Sequence, residues 1–262
     1  MTAYEVPDLR FTECHLDTLI ESDRKFIGHY RFMRRGVSID PEITKLVDSE
    51  GCLVPKRIEL LKRQDCTIMV SRLETKIEEI RQFADRIQAQ TASYVRVVGI
   101  ASFGSVYGMP RHFDHVDVWV LQTDGRKRWN FFGGPIEGSG VNRNVDPGPD
   151  ELTLSIDLGP GDQLFVPSGI FHQCDPGGFS MHLAINLKWP CALDILGIHY
   201  QDDQKYNNAL LEPIRAFGQP ERLMALSDRL SPLLREYSYS RDVRAALMDW
   251  PRRCQQKYSL AR

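Results

Sequence analysis

The chain has 262 residues, 42% of them hydrophobic and 26% charged, an ordinary composition for a globular protein that buries a core without disulfides. Its 33 lysines and arginines nearly balance 35 aspartates and glutamates, and a net charge of -2 argues against binding to nucleic acid by bulk charge. The first residues lack a signal-peptide pattern, the apolar runs are too short to cross a bilayer, and the six cysteines form no CxxC pair. We therefore expect a cytoplasmic protein with reduced thiols and no membrane partner.

Helical patterns dominate the N-terminal third of the chain. Asp40 followed by Pro41 predicts the start of a short helix. An amphipathic helix is predicted over 55–64 and an apolar strand over 66–70. A longer helix is predicted next, capped by Ser71. Its apolar residues are spaced by three or four: Leu73, Ile77, Ile80, Phe83 and Ile87.

From Tyr94 to about Tyr200 the apolar residues alternate with polar ones, which predicts strands. Six segments show this pattern: YVRVVGIAS, VDVWVLQ, KRWNFF, LTLSIDL, QLFVPS and SMHLAINLKW. Turn signals separate them, among them those at 123–125 and 159–162. Short strands with regular turns favour an antiparallel sandwich or barrel over a parallel sheet. Beyond these strands the pattern becomes helical again.

Two histidines and one aspartate are the candidate metal ligands. His112 and Asp114 are two residues apart, so on a strand both side chains would point to the same face. His172 follows a later predicted strand, which can bring it beside the first two. Two histidines and one carboxylate form the facial triad that leaves coordination positions open in non-haem Fe(II) oxygenases. Because a lone H-x-D pair is common by chance, the prediction depends on the turn and strand signals around all three residues.

Lys127 alternates with Trp129 and Phe131, which predicts that it points inward with the two aromatic side chains. A buried ammonium needs an anionic partner, and a dicarboxylate bound beside a metal would supply one. The alternative is that the strand has the opposite phase at its end and Lys127 extends to solvent. His182 is interpreted as a core histidine with a satisfied hydrogen bond, and His115 as a residue outside the metal set because its strand parity is opposite.

The segments GMPRHFDHVDVWVLQTDGRKRW and LGPGDQLFVPSGIFHQC, continuing through SMHLAINL, resemble the JmjC-type 2-oxoglutarate oxygenases of the cupin superfamily, in particular the ribosomal-oxygenase-like branch. The resemblance covers about 56–196. It implies a mainly β fold with flanking helices and a double-stranded β-helix core, of the cupin or jelly-roll type. The implied oxygenase domain spans 1–200, and a C-terminal helical element over 201–262 is expected to form a homodimer.

The resemblance also implies roles for individual residues. His112, Asp114 and His172 would be the ligands of Fe(II), and Lys127 would bind the distal carboxylate of 2-oxoglutarate. Asn186 falls where such enzymes place a small or polar residue near this cosubstrate. The implied reaction consumes O2 and 2-oxoglutarate, releases succinate and CO2, and hydroxylates a peptide, protein or amino-acid side chain.

The chain departs from the family pattern in the strand before the H-x-D pair. Val97, Val98 and Gly99 stand where an asparagine and a tyrosine often line the cosubstrate site, and Ser102 is a candidate substitute. Three other functions remain open from the sequence. They are a 2-oxoglutarate oxygenase acting on RNA or a small natural product, a catalytically silent cupin binding module, and a cupin enzyme that uses another metal without oxygen.

Overall fold

The structure is a computed structural model, and it describes residues 9–22, 28–91, 93–136, 149–189, 191 and 228. The predicted C-terminal helical element lies outside the described residues except for residue 228. Its helices and its role in dimerisation therefore remain predictions. Among the described helices, none has the length and apolar character needed to cross a lipid bilayer.

The α-helices whose bounds the structure gives all lie before residue 94. They are α1 (Glu13–Ser22), α2 (Pro55–Lys62) and α3 (Glu78–Thr91). The helix predicted over 55–64 is confirmed as α2. The helix predicted from Asp40 is wrong: its carboxylate caps the amides of the next residues, but the segment makes only turns before Lys45 takes a positive φ of 56°. A residue in that conformation ends a right-handed helix.

The long helix begins later than predicted. Ser71 is not its cap, because Arg72 adopts a left-handed conformation with φ 63° and a short 3-10 turn, Leu73–Thr75, follows. The regular helix starts only at Glu78. Glu74, in the 3-10 turn, accepts a hydrogen bond of 2.8 Å from the amide of Val97. Burial of this carboxyl raises its pKa.

The described strands form one sheet in which every pairing is antiparallel. The strands are β1 (Tyr30–Arg34), β2 (Val37–Ile39), β3 (Thr67–Val70), β4 (Tyr94–Gly104), β5 (Asp117–Phe132), β6 (Leu152–Leu158), β7 (Gln163–Val166) and β8 (Phe171–Lys188). Their order is β2-β1-β3-β4-β8-β5-β6, and β7 pairs with β5. The predicted mainly β, antiparallel fold with flanking helices is therefore confirmed.

One predicted boundary between strands does not exist. The segments VDVWVLQ and KRWNFF are halves of the single strand β5, and the predicted turn at 123–125 is an irregularity in its pairing with β8. His172 lies near the start of β8, not at the end of the preceding strand. The turn at 159–162 is confirmed, since the amide of Asp162 donates to the carbonyl of Gly159 over 2.9 Å.

The two faces of the sheet carry separate cores. The larger core packs the helices against one face and includes Phe83 of α3 together with Leu183 and Ile185 of β8. Alternate residues of β8 point the other way, so that Ala184 contributes to a smaller cluster that includes Trp129 of β5. A pocket opens on this second face, and its walls hold all the predicted site residues.

Candidate metal centre

His112, Asp114 and His172 come together in the lining of the pocket. One potential ligand atom from each lies within 4.8 Å of the others. Nε2 of His172 is 3.6 Å from Oδ2 of Asp114, and the two imidazole ring centroids are 4.5 Å apart. An antiparallel bridge closes the sequence separation, because the amides of His112 and His172 donate to each other's carbonyls over 3.1 and 2.7 Å. The amide of Gly169 also donates to the carbonyl of Asp114 over 2.9 Å.

Backbone carbonyls fix the tautomers of both histidines. Nδ1 of His112 lies 2.8 Å from the carbonyl oxygen of Pro110, and Nδ1 of His172 lies 3.0 Å from that of Ile170. Because a carbonyl only accepts, each Nδ1 carries the hydrogen and each Nε2 keeps its lone pair. Burial, followed by the nearby His112, lowers the pKa of His172. Neutral imidazoles oriented in this way are what a metal requires.

Lys127 lies inside the pocket, on the face that it shares with Trp129 and Phe131. Only 2% of its surface is exposed. Its Nζ donates to Oγ of Ser102 and to Nδ1 of His182, each over 3.1 Å. Within the described part of the chain, no carboxylate forms an ion pair with this ammonium. Burial lowers the pKa of Lys127 from 10.5 to about 8.

The pocket joins the three metal-site residues to Lys127. Its volume is about 120 Å³, well below the ~300–1,000 Å³ of pockets for drug-sized ligands, so it suits a small molecule. Asn186 of β8 and Val98 of β4 also line it. Cys174 contributes a thiol that stays protonated, because burial raises its pKa to about 12.

The sequence missed two polar contributors to this pocket. Thr67 of β3 lies beside Ser102, with their hydroxyl oxygens 3.2 Å apart, and both line the pocket. Thr67 comes from a strand that the sequence identified only as apolar, and nothing in its local pattern indicates the pairing with β4 that brings it there. His182 was interpreted as a core histidine; it is buried, and its hydrogen bond goes to Lys127. His115 does not line the pocket; its ring packs edge-on against Phe113 at 5.0 Å.

Comparison with known proteins identifies a matching domain family. Residues 72–195 match the family model of the JmjC domain. The family resemblance predicted from the sequence is thereby confirmed, and the metal-site residues, Lys127 and Asn186 all lie within the matched JmjC domain.

Curated relatives of the JmjC domain include ribosomal oxygenases. A bifunctional lysine-specific demethylase and histidyl-hydroxylase, NO66 of Drosophila persimilis, is 24% identical over 155 residues, which is 57% of this chain and 22% of that protein. Ribosomal oxygenase 2 of Rattus norvegicus is 39% identical over 84 residues, covering 30% of this chain and 18% of that protein. The chain therefore spans about a fifth of the length of these relatives.

Among solved structures, the ribosomal oxygenase YcfD of Escherichia coli superposes on this chain with a TM-score of 0.50. The superposition covers 94% of this chain and 62% of YcfD, at 18% sequence identity. At this identity the likeness concerns the fold alone. This chain and YcfD thus share a fold.

Proposed function

We propose that this chain is an Fe(II)- and 2-oxoglutarate-dependent oxygenase that hydroxylates a side chain of a peptide or protein, with release of succinate and CO2. One observation supports this function above others. A cluster of two histidines and one aspartate shares a small pocket with a buried lysine that lacks an anionic partner among the described residues. A pocket that holds a metal-bound dicarboxylate needs a set of metal ligands and a cation that can pair with the second carboxylate.

The donor set fits Fe(II). Two imidazoles with free Nε2 lone pairs and one carboxylate oxygen are the donor set of non-haem Fe(II) sites, and three ligands leave positions open for other groups. In this proposal His112, Asp114 and His172 hold the metal. The bound Fe(II) supplies the redox chemistry that couples oxidative decarboxylation of 2-oxoglutarate by O2 to hydroxylation of the substrate. The residues of the chain hold the metal, orient the organic groups and exclude water.

Lys127 is the proposed anchor for the distal carboxylate of 2-oxoglutarate. A hydrogen bond from a charged donor to a carboxylate, in a pocket that excludes water, contributes about 1.5–3 kcal/mol. Trp129 stacks against the ring of His172, with centroids 5.4 Å apart, and forms an apolar wall between the lysine and the metal site. Asn186 lies in the same pocket and is the proposed polar neighbour of the cosubstrate.

The names of the relatives support the proposed substrate class. Their names include a histidyl-hydroxylase, a lysine-specific demethylase and a ribosomal oxygenase. We extend this to a protein side chain as the substrate of this chain. We also propose that 1–200 form an oxygenase domain with N-terminal helices and a double-stranded β-helix core. We further propose that 201–262 form a homodimer and that the protein is located in the cytoplasm. Light scattering should give twice the 30.1 kDa mass of one chain, and a monomer at high concentration would contradict the dimer.

The function is tested by anaerobic titration followed by turnover. Purified protein should bind one Fe(II) and then 2-oxoglutarate, and exposure to O2 with peptides from a lysate should release succinate and add one oxygen atom to a peptide by mass spectrometry. An oxidised nucleoside or small molecule in place of a peptide would change the substrate class. Binding of metal without any 2-oxoglutarate binding would contradict the proposed function and favour a different cupin enzyme or a binding module.

Exchanging the metal ligands gives a second test. Alanine at His112, Asp114 or His172 should each abolish stoichiometric Fe(II) loading, measured by elemental analysis after desalting, because each removes one ligand. His15→Ala is the control, since this histidine lies on α1 outside the pocket. Full metal loading in all three ligand variants would place the metal elsewhere.

A further inference from the structure

His182 contacts the Lys127 ammonium from the neighbouring strand of the sheet. It lies on β8, is 2% exposed, and packs edge-on against Trp129 with centroids 5.6 Å apart. Its Nδ1 is 3.1 Å from Nζ of Lys127. Because an ammonium can only donate, Nδ1 must accept, and the imidazole is neutral with its hydrogen on Nε2. Burial and the nearby lysine, which hold the pKa of His182 well below its usual value, agree with this state.

Among the described residues, the contacts of Lys127 leave one of its donors free. An ammonium has three N–H groups. One is used by Oγ of Ser102, which Thr67 holds from the other side, and a second is used by Nδ1 of His182. Two fixed acceptors on a rotatable ammonium determine where its third N–H points. We propose that His182 is a positioning residue that directs the remaining N–H of Lys127 to the distal carboxylate of 2-oxoglutarate, an inference that rests on the proposed function.

The chemistry of a neutral acceptor explains why this position carries a histidine. A buried imidazole costs more to desolvate than an aliphatic side chain of similar size unless it is hydrogen-bonded. A carboxylate here would also accept from Lys127, but it would cancel the positive charge and compete with the incoming anion. The imidazole holds the ammonium and leaves its charge available. This distinguishes a positioning role from simple filling of the core.

The test measures 2-oxoglutarate binding to the Mn(II)-loaded protein by calorimetry, without turnover. His182→Leu removes the acceptor and should weaken 2-oxoglutarate binding by about tenfold, or ~1.4 kcal/mol. His182→Asn keeps an acceptor near the place of Nδ1 and should bind within about threefold of wild type. His182→Asp places a side chain of nearly the same shape as asparagine there, but with a negative charge. This variant should bind 2-oxoglutarate more weakly than the leucine variant. Mn(II) affinity should be unchanged in all three variants.

Controls separate the possible failures. Thr91→Val removes an equally buried hydrogen bond outside the pocket and should leave 2-oxoglutarate affinity intact. Lys127→Ala should weaken binding about ten- to a hundredfold if the proposed function holds. If Lys127→Ala weakens 2-oxoglutarate binding but His182→Leu binds 2-oxoglutarate like wild type, only the role of His182 is overturned. Equal binding by the asparagine and aspartate variants would also overturn it, even if the leucine variant fails to fold. If wild type binds no 2-oxoglutarate, both proposals fail.

Discussion

Lys127 is a cation that the fold buries beside neutral groups. Its contacts are a hydroxyl and an imidazole, and among the described residues none supplies a counter-charge. A protein tolerates such a group when binding needs it, because an anionic ligand recovers the cost of desolvation. The stability of the ligand-free protein should therefore carry a signature of this lysine.

The signature is a stability that rises at alkaline pH. The pKa of Lys127 is about 8 in the folded chain, against 10.5 for an ordinary lysine. Between these pH values the unfolded state binds more protons, so the free energy of unfolding increases with pH, by about 3 kcal/mol in total. Lys127→Met should lose this rise when both proteins are unfolded with urea between pH 7 and 9.5.

The control for this prediction is Lys56→Met, which replaces an exposed lysine of α2. It should keep the wild-type pH profile. Parallel profiles for wild type and Lys127→Met would mean that the lysine gains little from losing its proton, and that its ammonium is solvated in the pocket.

The sequence predicted the direction of individual side chains best where residues of two kinds alternate clearly along a strand. The alternation of Lys127 with two aromatic residues predicted its inward direction, and the structure has that orientation. The contacts of His182 and Thr67 could not be found in the same way. They arise from pairing between strands that are distant in the sequence, and local periodicity does not encode which strands become neighbours.

At the scale of elements, a pairing irregularity in β5 decides which side chains enter the pocket. In its first half the even-numbered Val118 and Val120 join the pocket-side cluster, whereas in its second half the odd-numbered Trp129 and Phe131 do so. The register with β8 shifts twice between these halves, with a net change of parity. If β5 kept one register along its whole length, the side chain of Lys127 would point away from the pocket. The sequence predicted the correct face for Lys127, although it treated the two halves of β5 as separate strands and contained no sign of the register shift.

Gly125 lies in this irregular stretch and has a φ of +58°. A Cβ there would come within 2.1 Å of the carbonyl oxygen of Phe179 and 2.8 Å of Cα of Ser180, and backbone cannot move aside cheaply. Gly125→Ala should reduce the free energy of unfolding by about 2–4 kcal/mol, from left-handed strain plus overpacking. Because the bulge orients Lys127, 2-oxoglutarate affinity should fall as well.

Gly177 of β8 provides the matched control. A Cβ there meets no heavy atom within 4 Å, although the residue lies in the β8 stretch opposite the same irregularity. Gly177→Ala should change denaturant stability by less than about 1 kcal/mol. A Gly125→Ala protein with wild-type stability and affinity would show that the register shift does not depend on glycine.

On the scale of the whole molecule, the larger core and the candidate site lie on opposite faces of the sheet. The larger core between the helices and the sheet contains none of the metal-site residues, and the pocket side holds a smaller apolar cluster. Folding should therefore not require the metal. This division could be anticipated only in part, because the alternation of the strands is visible in the sequence, whereas the covering of one face by helices depends on tertiary packing.

Thermal unfolding can test this division. The metal-free protein, prepared with a chelator, should still unfold cooperatively, since its main core is independent of the site. Adding Mn(II) and 2-oxoglutarate at a hundredfold excess over their dissociation constants should stabilise it by about 2.7 kcal/mol per ligand, because each binds only the folded state. For a chain of this size that corresponds to a rise of roughly 5–10 °C in Tm for each ligand.

Asp114→Ala should unfold near the wild-type metal-free temperature and show no rise with either ligand, because the metal is lost and 2-oxoglutarate then has nothing to chelate. A metal-free chain that is already unfolded would instead make the metal part of the core.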